Sequence, residues 1–164
     1  MIPVTENEIR GSFINCSKGE AKRLSLPRDL DSRPWEDLDF LGWRDPMAHE
    51  RAYLVVERGD GPVGVAFRLT GSETGARRAL CSVCVTSRQG PGVALMVAPR
   101  VGKAGREGNT VGLHMCTDFA CSLYVRGLKQ PEPGGRFAET LTVEEKVKRL
   151  EENLHGFLDR LTRG

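Results

Sequence analysis

Near the end of the chain, Val143, Val147, Leu150, Leu154, Phe157, Leu158 and Leu161 recur at spacings of three and four. That period lines one face of an α-helix. Thr142 and Glu145 stand ahead of the run as a capping box, in which hydroxyl and carboxylate satisfy free backbone N–H groups. The pattern predicts a long amphipathic helix over about 142–162, packed back on the body of the protein. The same box occurs twice near the start, as Thr5 with Glu8 and Ser17 with Glu20. These predict short N-terminal helices, with Ile9 and Phe13 on one face of the first.

Between these ends the period changes. Ala52 to Glu57 and Pro62 to Leu69 read as two strands of a hairpin across Arg58-Gly-Asp-Gly61. Arg77 to Leu80, Val93 to Ala98 and Thr110 to Met115 predict further strands, and Thr117 to Arg126 a helix with Gly127 as C-cap. Trp35, Leu38, Phe40, Leu41 and Trp43 cluster after Pro27 and Pro34 and are assigned to core packing. Pro99 to Asn109 (PRVGKAGREGN) reads as a glycine-rich basic loop, and Gln130 to Gly135 as a linker. The fold class is therefore α+β, with antiparallel strands. At 164 residues the expectation is a single domain over 1–164.

Charge adds an asymmetry. The net charge is +2, but residues 1–60 hold nine basic and twelve acidic side chains, whereas 61–130 hold nine and three. The excess of +6 falls on the segment that also contains four of the five cysteines. A solvated basic face or an anionic partner would each produce it. The polar start of the chain and the absence of an apolar run near the roughly 20 residues needed to span a bilayer lead to the expectation of a cytosolic protein with no membrane partner.

In that compartment thiols stay reduced, so the cysteines are read as ligands rather than as disulfides. Cys81 and Cys84 form a CSVC pair, and Cys116 and Cys121 a CTDFAC pair. Two thiolates separated by two residues turn toward one ion in a tight knuckle, and four complete the tetrahedron that zinc prefers. The second pair fits if Cys116 ends a strand and Cys121 lies just inside the next helix. Strand, knuckle, strands and then a helix at the second pair is the order of a treble-clef zinc finger, with its core at about 79–127. An iron site of rubredoxin type and unmetallated thiols are the alternatives. Cys16 is read as a small half-buried residue. His114, two residues before Cys116, is read as a surface strand histidine, or else as a neighbour of the metal sharing the face of Cys116. His49 and His155 have no catalytic companion.

ENEIRGSFINCSKGEAKRLSLP, DLDFLGWRDP, CSVC, MVAPRVGKAGREGNTVG and CTDFACSLYVRG together resemble the FBP family, the C-terminal zinc-finger domain of elongation factor G-binding proteins. FusB-type fusidic acid resistance proteins share that domain. The resemblance spans almost the whole chain and is most specific from Cys81 to Gly127. It implies a treble-clef finger, zinc ligands at Cys81, Cys84, Cys116 and Cys121, and binding to elongation factor G on or near the ribosome. FusB-type proteins release that factor from ribosomes stalled by fusidic acid. They also carry a helical bundle before the finger, for which this chain has no room.

Three function classes follow. A protein-binding module would meet an acidic surface with Arg100, Lys103 and Arg106 of the basic loop. An rRNA-binding protein would neutralise phosphates with Arg77, Arg78, Arg88, Arg100, Lys103, Arg106, Arg126 and Lys129. An enzyme is disfavoured, because four cysteines close the coordination shell against water. Glycines at 102, 105 and 108 match neither a P-loop nor a dinucleotide fingerprint, and are read as letting backbone approach a partner.

Overall fold

The computed structural model describes residues 1–70, 78–134 and 138–163. Arg77 and Gly135, singled out above, lie outside them. Capping boxes open α1 (Glu6–Ser12), α2 (Lys18–Arg23) and the twenty-residue α5 (Val143–Thr162), each with its serine or threonine and its glutamate in place. The hairpin forms as β2 (Arg51–Arg58) and β3 (Gly61–Thr70), with Gly59 and Asp60 between them. Gly59 turns at φ 57°, where a two-residue hairpin needs a residue without Cβ strain.

Five strands make one antiparallel sheet in the order β1-β2-β3-β6-β7, where β1 is Phe40–Arg44, β6 Val93–Pro99 and β7 Thr110–Cys116. β1 has no counterpart among the strands expected from the sequence, in which Phe40, Leu41 and Trp43 read only as packing residues. Gly42 pairs with Leu54 and Trp43 with Tyr53, so Phe40, Leu41 and Trp43 of the cluster pack as an edge strand, whereas Trp35 lies in a short 3-10 turn before it. Of the predicted strand at 77–80, the described part forms β4 (Ala79–Leu80), which pairs with β5 (Ser87–Arg88) in a separate ribbon.

The sheet is buried on both faces, which explains why β2 reads as a continuous apolar run rather than an alternation. Ala52, Leu54 and Val56 face a core shared with α5 and the four paired cysteines. Tyr53 and Val55, one residue out of phase, join Leu41, Trp43, Ile9, Ala21 and Leu24 under α1 and α2. Leu150, Leu154, Phe157, Leu158 and Leu161 of α5 are all buried, and Phe157 stacks on Phe67 at 5.6 Å between ring centres. At about 1.5–3 kcal/mol for each such side chain, this face holds α5 in place. Among the described residues, no helix is long and apolar enough to cross a membrane.

The basic loop departs from expectation. It contains a turn of helix, α3 (Lys103–Arg106), and its glycines serve the chain's own backbone. Gly102 and Gly108 sit at φ 78° and 90°, while a Cβ on Gly105 would lie 1.8 Å from the carbonyl oxygen of Arg100. The loop is therefore a compact turn.

Candidate metal centre

The ligand set is assembled from three places. Cys81 and Cys84 come from the knuckle between β4 and β5, Cys116 from the last position of β7, and Cys121 from the first position of α4 (Cys121–Arg126). The helix begins at Cys121 and not at Thr117. The residues between form a turn, in which Phe119 N–H donates to the Cys116 carbonyl at 3.1 Å and the Asp118 carboxylate accepts from Ala120 N–H at 3.1 Å. Phe119 takes a left-handed φ of 54°, a conformation a bulky residue adopts only under tertiary constraint. Gly127 caps the helix at φ 74°, as read from the sequence.

The four Sγ atoms lie within 4.8 Å of one another, and all four residues are buried. Cys81 to Cys121 and Cys84 to Cys116 are each 3.7 Å apart, and no disulfide joins them. A tetrahedron with metal–sulfur bonds of about 2.3 Å has edges of about 3.8 Å. The donor set thus fits one zinc ion. In the knuckle, Val83 N–H points at the Cys81 sulfur at 3.4 Å, and Val85 adopts φ 58° to turn the chain away. Hydrogen bonds from the thiols of Cys116, Cys121 and Cys84 hold Cys81 well below the usual thiol range. Burial pushes Cys121 far above it. Because zinc takes its cysteine ligands as thiolates, binding an ion here is coupled to proton release.

His114 does not share the face of Cys116. It is exposed between buried Leu113 and Met115, and its carbonyl accepts Ser82 N–H at 2.8 Å. Cys116 escapes the strand alternation because the chain turns there. Cys16 is half-buried, and burial raises its thiol pKa. Of the loop cations, Lys103 and Arg106 are exposed. Arg100 is not free as expected, since its guanidinium donates at 2.7 Å to the carbonyls of both Arg160 and Arg163. It closes the C-terminal end of α5.

The structure also reveals supports that carry no sequence signal. Arg88 binds Glu132 through two 2.9 Å bonds and Asp118 at 3.2 Å, and donates to the Tyr124 hydroxyl. Tyr124 in turn donates to Asp118 at 2.7 Å, and Lys129 reaches the same carboxylate at 3.1 Å. Arg126 binds Asp39 through two 2.7 Å bonds. Arg88 and Arg126, counted above among phosphate-neutralising cations, are thus internal ties across the finger. Asn153 of α5 reaches the Val83 carbonyl at 3.1 Å, locking the knuckle to the long helix.

Comparison with curated proteins finds no match, and neither does comparison with solved structures. The family comparison does: over residues 8–161, including every ligand and both layers of helices, the chain belongs to the FBP C-terminal treble-clef zinc-finger family.

Proposed function

We propose that this protein is a non-enzymatic, cytoplasmic zinc-finger factor that binds elongation factor G on or near the ribosome and modulates its release. The observation that carries the reading is the metal centre. Four buried thiols stand close enough to hold one ion between them, and an ion bound by all four would have no open position for activating water. The zinc then serves to hold α4, the knuckle and β7 together as a scaffold. Lys103 and Arg106, exposed on α3, supply positive charge that favours docking on an acidic protein surface and speeds encounter. The resemblance to elongation factor G-binding proteins supports the choice of partner.

The test is capture from lysate on immobilised protein, with and without nuclease. Nuclease-resistant recovery of elongation factor G is the expected result. Recovery of ribosomes that disappears on nuclease treatment, with no elongation factor G, would replace this reading with the rRNA-binding one.

A further inference from the structure

A cavity of about 290 Å³ opens on the side of the sheet away from the zinc site, lined in part by Asn15, Cys16, Arg23, Arg51, Tyr53 and Arg68. Its wall is built firmly. The Asn15 amide accepts from Ala66 N–H at 2.8 Å and donates to the Ala66 carbonyl at 2.9 Å, which staples the α1–α2 connection to β3. Tyr53 is buried beneath, between Phe13 and Trp43.

The side chains around this cavity carry an excess of positive charge, three arginines to two carboxylates. Arg51 and Arg68 are direct cross-strand partners in the β2–β3 register, and like charges in that position repel. Arg23, at the end of α2, adds a third guanidinium to the same cavity. Two carboxylates also line it, but both are committed to local structure. Asp45 accepts from Met47 N–H at 2.8 Å, Ala48 N–H at 3.2 Å and the Tyr53 hydroxyl at 3.0 Å. Glu20 accepts from the Ser17 N–H at 2.8 Å and its hydroxyl at 2.7 Å. Elsewhere arginines meet carboxylates directly, as Arg88 does Glu132, Arg126 Asp39 and Arg149 Glu139. Among the described residues Arg23 and Arg68 make no ion pair; Arg23 and then Arg51 act on Glu20 through space, and Arg51 lies against the Tyr53 phenol. All three arginines are exposed.

We infer that this cavity binds a small phosphate- or diphosphate-bearing molecule, gripped by Arg23, Arg51 and Arg68. A carboxylate offers two oxygens, which a single guanidinium fork can saturate. A phosphate group presents three oxygens and close to two negative charges, which forks arriving from a helix and two strands can share. The concave shape, just below the usual size range of small-molecule sites, favours a free small molecule over an extended polymer. The bound anion would also relieve the Arg51–Arg68 repulsion.

The experiment is calorimetric titration of the full chain with inorganic pyrophosphate at constant ionic strength. One saturable site is expected. Arg51→Gln/Arg68→Gln and Arg23→Gln should each weaken it by about tenfold or more, while Lys148→Gln on the exposed face of α5 should leave it unchanged. Without ligand, the double variant should melt no lower than the parent, because it removes a repulsion. Absence of saturable binding, equal weakening by Lys148→Gln, or a lower melting temperature for the ligand-free double variant would overturn the inference. So would a short single-stranded RNA that binds through the same arginines and is not displaced by pyrophosphate, since the surface would then be a nucleic-acid site.

Discussion

Phe119 lays its ring where a side chain on Gly42 would be: a Cβ at position 42 would lie 2.3 Å from Phe119 Cδ1. The left-handed turn between the second pair of zinc ligands is therefore fitted to the bare backbone of the edge strand β1. Gly42→Ala must displace the ring, and with it the turn that sets the spacing of Cys116 and Cys121. Overpacking of this kind costs about 1–3 kcal/mol, so a lowered melting temperature and weaker zinc retention against a chelator are expected. Unchanged values for both would show that the turn does not depend on this contact.

Zinc content should be one per chain, and Cys84→Ser or Cys121→Ser should lose it. Structural zinc in finger peptides contributes roughly 10–16 kcal/mol of apparent free energy, so α4 and the β4–β5 ribbon should melt on metal removal. The Trp43–Tyr53 cluster lies across the sheet from the cysteines and should survive. Hydrogen exchange of the metal-free protein checks both halves: fast in residues 81–88 and 116–126, and protected in β2.

Asp39 is only 5% exposed at its side chain and has Arg126 as its ion-pair partner. Removing one member of a buried pair strands the other, at a cost of about 3–5 kcal/mol. Arg126→Met should therefore destabilise strongly in denaturant titrations. Asp39→Asn combined with Arg126→Met should recover much of the loss. A double variant as unstable as the single one would point to lost packing by the Arg126 stem instead.

Tyr53 and Tyr124 are the two tyrosines of the chain, and both phenols ionise late. Burial, followed by the hydrogen bond to Asp45, pushes Tyr53 up to about 12. Burial and Asp118 raise Tyr124 as well. Because the folded pKa values exceed the unfolded value near 10, the stabilisation is complete below about pH 10 and lost as pH rises toward 12. Absorbance of tyrosinate should stay low at pH 10.5 and rise together with unfolding. A normal titration centred near 10 in the folded protein would contradict the burial.

Charge reversal at Lys103 and Arg106 should leave zinc content and melting temperature nearly unchanged, because both side chains are exposed. It should slow association with elongation factor G, most at low salt. Arg100→Glu should behave differently, losing its two bonds to the end of α5 and lowering stability by about 1–3 kcal/mol. Binding by the double reversal as fast as by the parent would place the partner surface elsewhere.

Local chemistry made much of this protein legible in its sequence. Capping boxes, the spacing of apolar residues in α5, the hairpin and the two cysteine pairs each involve residues a few positions apart, so linear order suffices to read them. What the tertiary structure decided depends on residues far apart in the chain. Phe40 to Arg44 became a strand because Ala52 to Val56 lay available to pair with it. Arg100, Arg88 and Arg126 resemble surface cations in the sequence, but meet carbonyls or carboxylates 30 to 87 residues away. Nor does linear order tell that Arg51 and Arg68 stand opposite one another, since that follows from the register of a turn centred on Gly59 and Asp60. A side chain's charge is written in the sequence, whereas whether that charge is spent inside the fold or left for a partner is settled by which distant groups the packed sheet brings within a few ångströms.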